Sequence, residues 1–287
     1  MIGLFKEPRV ILSYIRLMNT EGIISIGLLS VLILVAMCSS ILAPHDPLAH
    51  NLDSRLDAPS LEYYFGTDGF GRDVFSRVLY GTRISLFVGG VSAFLATLVG
   101  TFIGILSAYV GGKADTIIQR ILDTVIGFPF LVLILLIVVA FPDSITSIIV
   151  GITIAQVPPI ARLSRSSALP LKNLDYINAA VVNGATNSRI ILRHLFPNSF
   201  APVLAQVSGY FGAAVTVDTS LGFLGLGIPP PHPSWGGMIQ DGVQNYFEVA
   251  PWVTLFPIAA LVITLCVSIF LGDSIRNLMD PFRVPQK

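Results

Sequence analysis

The segment NAAVVNGATNSRIILRHLFPN, which runs from Asn178 to Asn198, is polar and rich in turn residues, yet it lies between long apolar runs. Asn183-Gly184 supplies residue types that accept a positive φ, and Asn187 or Ser188 is suited to cap a following helix. The pattern therefore predicts two short helices separated by a turn. A membrane protein with such a segment on one face is expected to dock a soluble partner there.

The composition of the chain is that of an integral membrane protein. Hydrophobic residues make up 53% and charged residues 12% of the 287 residues, and the mean hydropathy is +0.78. Soluble domains carry roughly 25% charged residues. The formal net charge is zero, and we expect no nucleic acid among the partners. Cys38 and Cys266 fall inside apolar runs, where they resemble small buried hydrophobes more than a disulfide or metal pair.

Apolar runs of the length needed to cross a bilayer, about 20 residues, predict an all-α fold with about six transmembrane helices. The first run follows basic residues but is longer than the apolar region of a signal peptide, so we expect it to stay as an anchor. The predicted spans are Gly22–Ala43, Ile84–Val110, Thr124–Phe141, Ser144–Ala161, Ser199–Val217 and Pro251–Gly272.

Two prolines and one tight turn mark predicted irregularities in these spans. The third and fourth spans share a turn at Phe141–Asp143, and the fourth ends at Val157-Pro158-Pro159, where proline removes backbone donors. We expect an ordinary hairpin and a helix break at the prolines, with a re-entrant geometry as the alternative.

The distribution of Lys and Arg predicts the orientation of the chain. With the N-terminus inside, 13 of the 17 basic residues lie on the cytoplasmic side and four lie outside. This bias makes the N-terminal segment 1–21, the C-terminus and the segment 170–198 cytoplasmic. It leaves the segments 44–83 and 222–250 on the outer side, with the core of the molecule in residues 84–287.

The first outer segment, residues 44–83, begins with turn residues and ends with helical spacing of Val74, Val78 and Leu79. Because arginines accompany this spacing, the pattern favours an amphipathic helix at the outer membrane interface over a direct ligand site. Arg72, Arg77 and Arg83 are placed on its polar side.

The second outer segment, residues 222–250, is too rich in glycine and proline for a continuous helix, and we expect an ordered loop. Trp235 within it and Trp252 after it are expected at headgroup depth.

The apolar residues of the helix-turn-helix segment form one face, for which two interpretations stay open. They either pack against the ends of the protein's own helices or form a docking surface for a partner. His194 is interpreted as an interface or cap residue. The residues on this face are Ile177, Ala180, Val181, Ile190, Ile191 and Leu195.

Five stretches in this order resemble one family of membrane proteins over almost the whole chain. They are APHDP at 43–47, FGTDGFGRDVFSRVLYGTRISL at 65–86, the segment 178–198, LGFLGLGIPPPHPSWGGMI at 221–239 and LGDSIRNLMDP at 271–281. Together they are similar to the second permease subunit of the dipeptide, oligopeptide and nickel branch of ATP-binding-cassette (ABC) importers. The segment 178–198 resembles the EAA loop, through which such permeases contact their ATPase.

The resemblance implies a type I ABC importer permease fold in a bacterial or archaeal cytoplasmic membrane. It implies four partners: a homologous second permease, two cytoplasmic ATP-binding subunits and an extracytoplasmic solute-binding protein, besides the lipid bilayer. The implied function is ATP-driven import, with di- or oligopeptides as the expected solute and nickel or another small solute as the alternative.

Within the EAA-like loop, the resemblance extends to individual residues. Ala179, Ala180, Gly184 and Pro197 match the coupling pattern, whereas Asn178 stands where the family usually has Glu. An amide at this position can donate and accept hydrogen bonds but cannot form the ionic contact expected of Glu. With Ile190, Ile191 and His194, these residues are the candidate ATPase-coupling site.

The sequence carries no motif for ATP hydrolysis or for other catalysis. Gly112-Lys113 lacks the rest of a P-loop, and no HExxH, paired-cysteine or Gly-x-Ser-x-Gly motif is present. We therefore expect no enzyme activity, no cofactor and no metal site, although His45 and His50 lie near aspartates in an outer loop.

Asp218 ends the apolar run of the fifth span, where a carboxylate is expected to face a cavity or a partner. It is a candidate pore residue, with a wet interfacial anchor as the alternative. An autonomous ion-coupled transporter would place several charged residues within the spans, and an intramembrane enzyme would need a nucleophile–base or metal pair. Both are less favoured than a permease subunit.

Overall fold

A computed structural model describes residues 20–142 and 144–279, and its regular structure is almost entirely helical. Most of the predicted N-terminal segment 1–21, the turn residue Asp143 and the end of the stretch 271–281 lie outside the described residues. The helices are α1 Thr20–Met37, α2 Ser39–Leu42, α3 Val74–Val110, α4 Gly112–Ile126, α5 Phe130–Ala140, α6 Ser144–Lys172, α7 Asp175–Val182, α8 Asn187–Ile190, α9 Phe196–Phe223, α10 Trp235–Asp241 and α11 Trp252–Met279.

Five helices among the described residues are long and apolar enough to cross a membrane. They are α1, α3, α6, the continuous run Asn187–Phe223 that includes α9, and α11. The pair α4 and α5 passes the same test together but is bent by 85°, and it makes a sixth span if it is counted as one. The all-α fold with about six spans is thereby confirmed.

The predicted helix break at Pro158-Pro159 is wrong, because α6 continues through both prolines and through Pro170. The carbonyls that these prolines free lie in a helix packed between α3, α5 and α9, where neighbouring groups can cover them. The sharp bend lies instead between α4 and α5, at Gly127–Pro129. There a glycine and the restriction that a proline places on the preceding residue end the helix.

The contact between α3 and α6 is the most extensive among the described helices and uses small residues at every fourth position. Ala96, Gly100, Gly104 and Ala108 of α3 are all buried and face α6. A Cβ atom added to Gly100 would lie 2.8 Å from the side chain of Ile160, and one added to Gly104 would overlap the carbonyl oxygen of Ala161. The two backbones approach this closely only because these positions lack larger side chains.

Hydrogen bonds from buried side chains join the other spans to this pair. Gln156 of α6 donates from Nε2 to the carbonyl of Tyr210 in α9 at 3.0 Å. Ser268 of α11 donates to the carbonyl of Ser208 in α9 at 2.6 Å. Where the surroundings are apolar, such bonds fix the register of neighbouring helices.

The predicted interfacial helix does not exist as a separate element. Asp73 caps α3 by accepting hydrogen bonds from the backbone of Phe75 and Ser76, and α3 then runs without interruption to Val110. Arg72 and Arg77 are buried beside Asp68 and are not on a polar surface, whereas Arg83 is exposed. The buried carboxylate of Asp68 offsets the free-energy cost of burying these two charged side chains. Helical spacing alone does not reveal this pairing.

The burial of Trp235 rules out its predicted role as an interfacial anchor, whereas the headgroup position of the half-buried Trp252 stays a prediction. Trp235 is fully buried and donates from Nε1 to the carbonyl of Val78 at 3.2 Å. Trp252 donates in the same way to the carbonyl of Thr67 at 3.1 Å. Both indoles therefore tie the 222–250 segment and α11 to the start of α3. As expected, that segment is no continuous helix; it contains the short helix α10.

Gly104→Ala is predicted to destabilise the bundle by about 1 to 3 kcal/mol, because the added methyl group overpacks the α3–α6 contact. Gly90→Ala is the matched control on the same helix, since a Cβ there meets nothing within 4 Å. Thermal unfolding of both variants in detergent measures the difference. Equal midpoints for the two variants would show that the close approach of α3 and α6 is not a stability constraint.

Candidate functional site

The helix-turn-helix forms where the sequence predicts it, with α7 followed by a turn at Gly184. This glycine has a φ of +76°, which L-residues with side chains rarely adopt. The amide of Ala185 donates to the carbonyl of Ala180 at 3.0 Å, and the amide of Gly184 donates to that of Val181 at 2.9 Å. These two bonds make a Schellman motif, which ends α7 and turns the chain into α8.

The cap of the second helix differs from the prediction, and the helix continues into the next span. Thr186, and not Asn187 or Ser188, is the N-cap residue of α8, with its hydroxyl oxygen 3.4 Å from the amide of Arg189. Helical structure does not stop at Pro197. A π-turn at Ile191–Leu195 leads directly into α9, and Pro197 lies in its first turn, where the missing amide hydrogen costs little.

The inner face of this segment packs against the protein's own helices. Ile177, Ile190 and Leu195 are buried in one cluster with Ile105 of α3 and Ala168 of α6. Ile190 is only 1% exposed, so the prediction that it belongs to an exposed docking face is wrong. Because the ends of α3 and α6 already cover it, its apolar side chain serves the fold, and Ile191 beside it is half-buried.

The outer face of the same segment exposes apolar side chains that no described residue covers. Val182 is 86% exposed and Leu192 is 60% exposed, and Val181 is exposed as well. Among the predicted coupling residues, Asn178, Ala179 and Gly184 are exposed, while Ala180, His194 and Pro197 are half-buried. We call the exposed set Asn178, Ala179, Val181, Val182, Gly184 and Leu192 the outer surface of the segment.

Polar contacts fix the segment to the end of α3, and the end of α3 to the end of α6. Tyr109 near the end of α3 donates from its hydroxyl to Oδ1 of Asn187 at 2.7 Å. Lys172, the last residue of α6, donates from Nζ to the carbonyl of Tyr109 at 2.6 Å. These residues escaped the sequence analysis, because contacts between Tyr109 and residues 63 and 78 positions away leave no local pattern.

Two ion pairs join α4 to α6 at this end of the bundle. Arg165 donates from Nε and Nη2 to the two carboxylate oxygens of Asp115, at 2.7 and 2.6 Å. Arg162 pairs with Asp123 one turn of α6 away. The two hydrogen bonds from Arg165 fix the orientation of this ion pair, which holds the start of α4 against α6.

Asp218 of α9 is 5% exposed and accepts a hydrogen bond from Ser85 of α3 at 2.9 Å. The alternative of a wet interfacial anchor is therefore wrong, since the carboxylate lies between two helices. Whether it belongs to a pore stays a prediction.

The histidine-rich outer loop does not assemble a metal-binding cluster. His45 stacks on Tyr63 with ring centroids 5.0 Å apart, and its Nδ1 lies 3.6 Å from a carboxylate oxygen of Asp73. Within residues 20–142 and 144–279, no three His, Cys, Asp or Glu side chains are grouped to hold a metal ion.

Comparison with protein families gives one match. The model of the family described as "Binding-protein-dependent transport system inner membrane component" matches residues 100–284. This range contains the whole helix-turn-helix segment and the α3–α6 contact from Gly100 onward. It begins after the first outer segment.

Relatives of known name cover nearly the whole chain. A putative peptide transport system permease protein of Brucella suis biovar 1 is 39% identical over 280 residues, which are 96% of this chain and 93% of that protein. A dipeptide transport system permease protein of Alkalihalophilus pseudofirmus is 37% identical over 263 residues, 92% of this chain and 86% of that protein.

Among solved structures, an inward-facing MetNI methionine ABC transporter has a chain with the same fold. The TM-score is 0.58 at 23% identity, and the match covers 71% of this chain and 97% of the MetNI chain. At 23% sequence identity, this similarity supports a shared fold and nothing beyond it.

Gly184→Val is predicted to destabilise the turn between α7 and α8 by about 1 kcal/mol or more, because a β-branched residue is strained at a φ of +76°. Gly184→Asn is the control, since asparagine tolerates this conformation far better. Hydrogen exchange of residues 175–195 in the purified protein should rise in the valine variant and change little in the asparagine variant. Unchanged exchange in the valine variant would contradict the strain argument.

Proposed function

The chain belongs to the family of binding-protein-dependent transport system inner membrane components and is a permease subunit of an ABC importer, and we propose that the importer carries peptides. The observation that carries the proposal is the 37 to 39% identity to peptide and dipeptide permeases over more than nine-tenths of the chain. Nickel as the solute lacks comparable support. A homologous second permease would complete the translocation path, and a separate solute-binding protein would deliver the peptide from outside.

We propose that the outer surface of the helix-turn-helix segment docks a cytoplasmic ATPase subunit. Val182 and Leu192 leave apolar area open to solvent at the end of a membrane bundle, and such area usually marks an interface. Ile190 supports this surface from behind, as part of the cluster that fixes the segment to α3 and α6. Asn178 and Ala179 lie on the exposed side and contribute polar and small contacts.

The proposed mechanism is alternating access driven by ATP hydrolysis in the separate ATPase subunits. Closure of the ATPases moves the docked segment, and Tyr109 and Lys172 pass this movement to α3 and α6. The close α3–α6 contact makes this pair move as one body. Inward- and outward-facing states are then two discrete packings whose balance depends on nucleotide.

The proposed orientation puts the segment 170–198 and both termini in the cytoplasm of a bacterial or archaeal cell. The segments 44–73 and 222–250 then face the solute-binding protein. Asp218 remains a candidate pore residue, because a carboxylate buried beside Ser85 is available to a path that opens between α3 and α9.

Val182→Asp is predicted to weaken copurification of the ATPase subunits at least tenfold, because it removes apolar contact and buries a charge at the interface. Each 1.4 kcal/mol corresponds to a factor of ten. Val249→Asp, an exposed valine in the other loop region, is the matched control and should retain the ATPase. Equal retention of the ATPase by both variants would mean that the outer surface of the segment is not the docking surface.

Cysteine labelling in intact cells tests the orientation. In a chain whose own Cys38 and Cys266 have been replaced, Ser60→Cys and Glu248→Cys should react with a membrane-impermeant maleimide. Ser188→Cys should react only after the membrane is opened. All three positions are exposed, so access to the reagent decides the result. Reaction at position 188 in intact cells would reverse the proposed topology.

A further inference from the structure

A cavity of about 560 Å³ lies at the end of the bundle opposite the helix-turn-helix segment. Three parts of the chain form it: residues 50–77, the loop at 222–234, and α10 with the turn that follows. Its volume is within the roughly 300 to 1,000 Å³ of small-molecule pockets. The docking of the ATPase makes no use of this cavity.

Arg72 lines the cavity with a guanidinium group that is fixed in place. The residue is 7% exposed, Nε donates to Oδ2 of Asp68 at 2.7 Å, and Cζ lies 4.7 Å from the ring centroid of Phe70. In the part of the chain that the structure describes, no group accepts a hydrogen bond from Nη1 or Nη2. A rigid guanidinium with free terminal donors matches the geometry of a carboxylate.

The charge around Arg72 also favours an anionic group. Arg77 lines the same cavity, with Nε 3.4 Å from the same oxygen of Asp68, and it donates from Nη1 to the carbonyl of Pro47 at 3.0 Å. Two buried guanidinium groups thus share one buried carboxylate. Asp241 also acts electrostatically on Arg77, so these four groups together carry no formal net charge. The guanidinium groups beside Asp68 are the part of the cavity that offers positive charge to a bound anion, and burial strengthens such pairing.

The other walls suit a small zwitterion. Asp241 of α10 lines the cavity and accepts a hydrogen bond from Asn245 at 2.9 Å, so it offers a carboxylate to an ammonium group. The loop wall is formed by glycines, prolines, Ile228, His232 and Ser234, and the glycines leave room for a peptide backbone. A cationic wall and an acidic helix are therefore present in one cavity.

We propose that this cavity binds the C-terminal carboxylate of a peptide through the terminal guanidinium nitrogens of Arg72, with Asp241 available to the peptide's ammonium group. The proposal rests on the proposed peptide import and names the end of the solute that this chain recognises. A small free peptide is favoured over the side chain of a docked protein, because the cavity has the volume of a small-molecule pocket.

The test measures peptide binding to the assembled transporter, two permeases with two ATPases in nanodiscs, without the solute-binding protein. The probes are trialanine and trialanine amide, which differ only in the terminal carboxylate. Wild type should bind the free acid at least about tenfold more tightly than the amide. Arg72→Gln should remove this preference, and Arg83→Gln, an exposed arginine of α3, should keep it.

A second variant separates loss of the site from loss of the fold. Ile228→Trp adds bulk to the cavity from its loop wall and retains Asp68, Arg72 and Arg77. It should weaken binding of the free acid at an unchanged unfolding midpoint. Equal or undetectable binding of both probes by wild type would overturn the proposal, as would a preference that survives in Arg72→Gln.

Peptide uptake by the complete wild-type system, with its solute-binding protein, keeps the two proposals apart. If no peptide is taken up, peptide import is wrong and the carboxylate site is wrong with it. If peptides are taken up while the nanodisc measurement finds no preference for the free acid, only the carboxylate site is wrong.

Discussion

The close approach of α3 and α6 is the constraint on which the other features depend. Small residues at four-residue spacing let the two backbones nearly touch, and in a membrane such packing replaces the hydrophobic effect as the source of helix association. The rest of the bundle is arranged around this pair. α9 is joined to α6 through Gln156 and to α3 through Ser85 and Asp218, and α11 is joined to α9 through Ser268.

The same pair connects the two ends of the molecule. At one end, Tyr109 of α3 holds Asn187 of the helix-turn-helix segment and accepts a hydrogen bond from Lys172 of α6. The buried face of the segment belongs to the core, and its outer surface remains open. At the other end, the start of α3 carries Arg77 and, just before its cap, Arg72 in the cavity. One continuous helix of 37 residues thus joins the two ends, as the proposed mechanism requires.

Local patterns predicted the helices and the turn, and contacts between distant residues account for what was missed. Gly184 was identified because the need for positive φ is a property of one position. The burial of Ile190 depends on Ile105 and Ala168, which sequence spacing does not connect to it. Arg72 and Arg77 were expected on a polar surface because of their helical spacing; the partner that allows their burial, Asp68, is near in sequence but precedes the helix, so the helical pattern does not include it. The GxxxG pattern at Gly100 and Gly104, from which the sequence analysis drew no prediction, marks the α3–α6 contact.

In the proposed mechanism, the helix-turn-helix segment moves with α6 as one rigid unit when ATP binds. Spin labels at positions 188 and 166, both exposed, report the distance between the segment and α6 in the assembled transporter by pulsed electron resonance. The account predicts the same distance distribution in the nucleotide-free and ATP-bound states. A shift approaching the ~5 Å of one helical turn would show that the segment moves independently, and would contradict transmission through Tyr109 and Lys172.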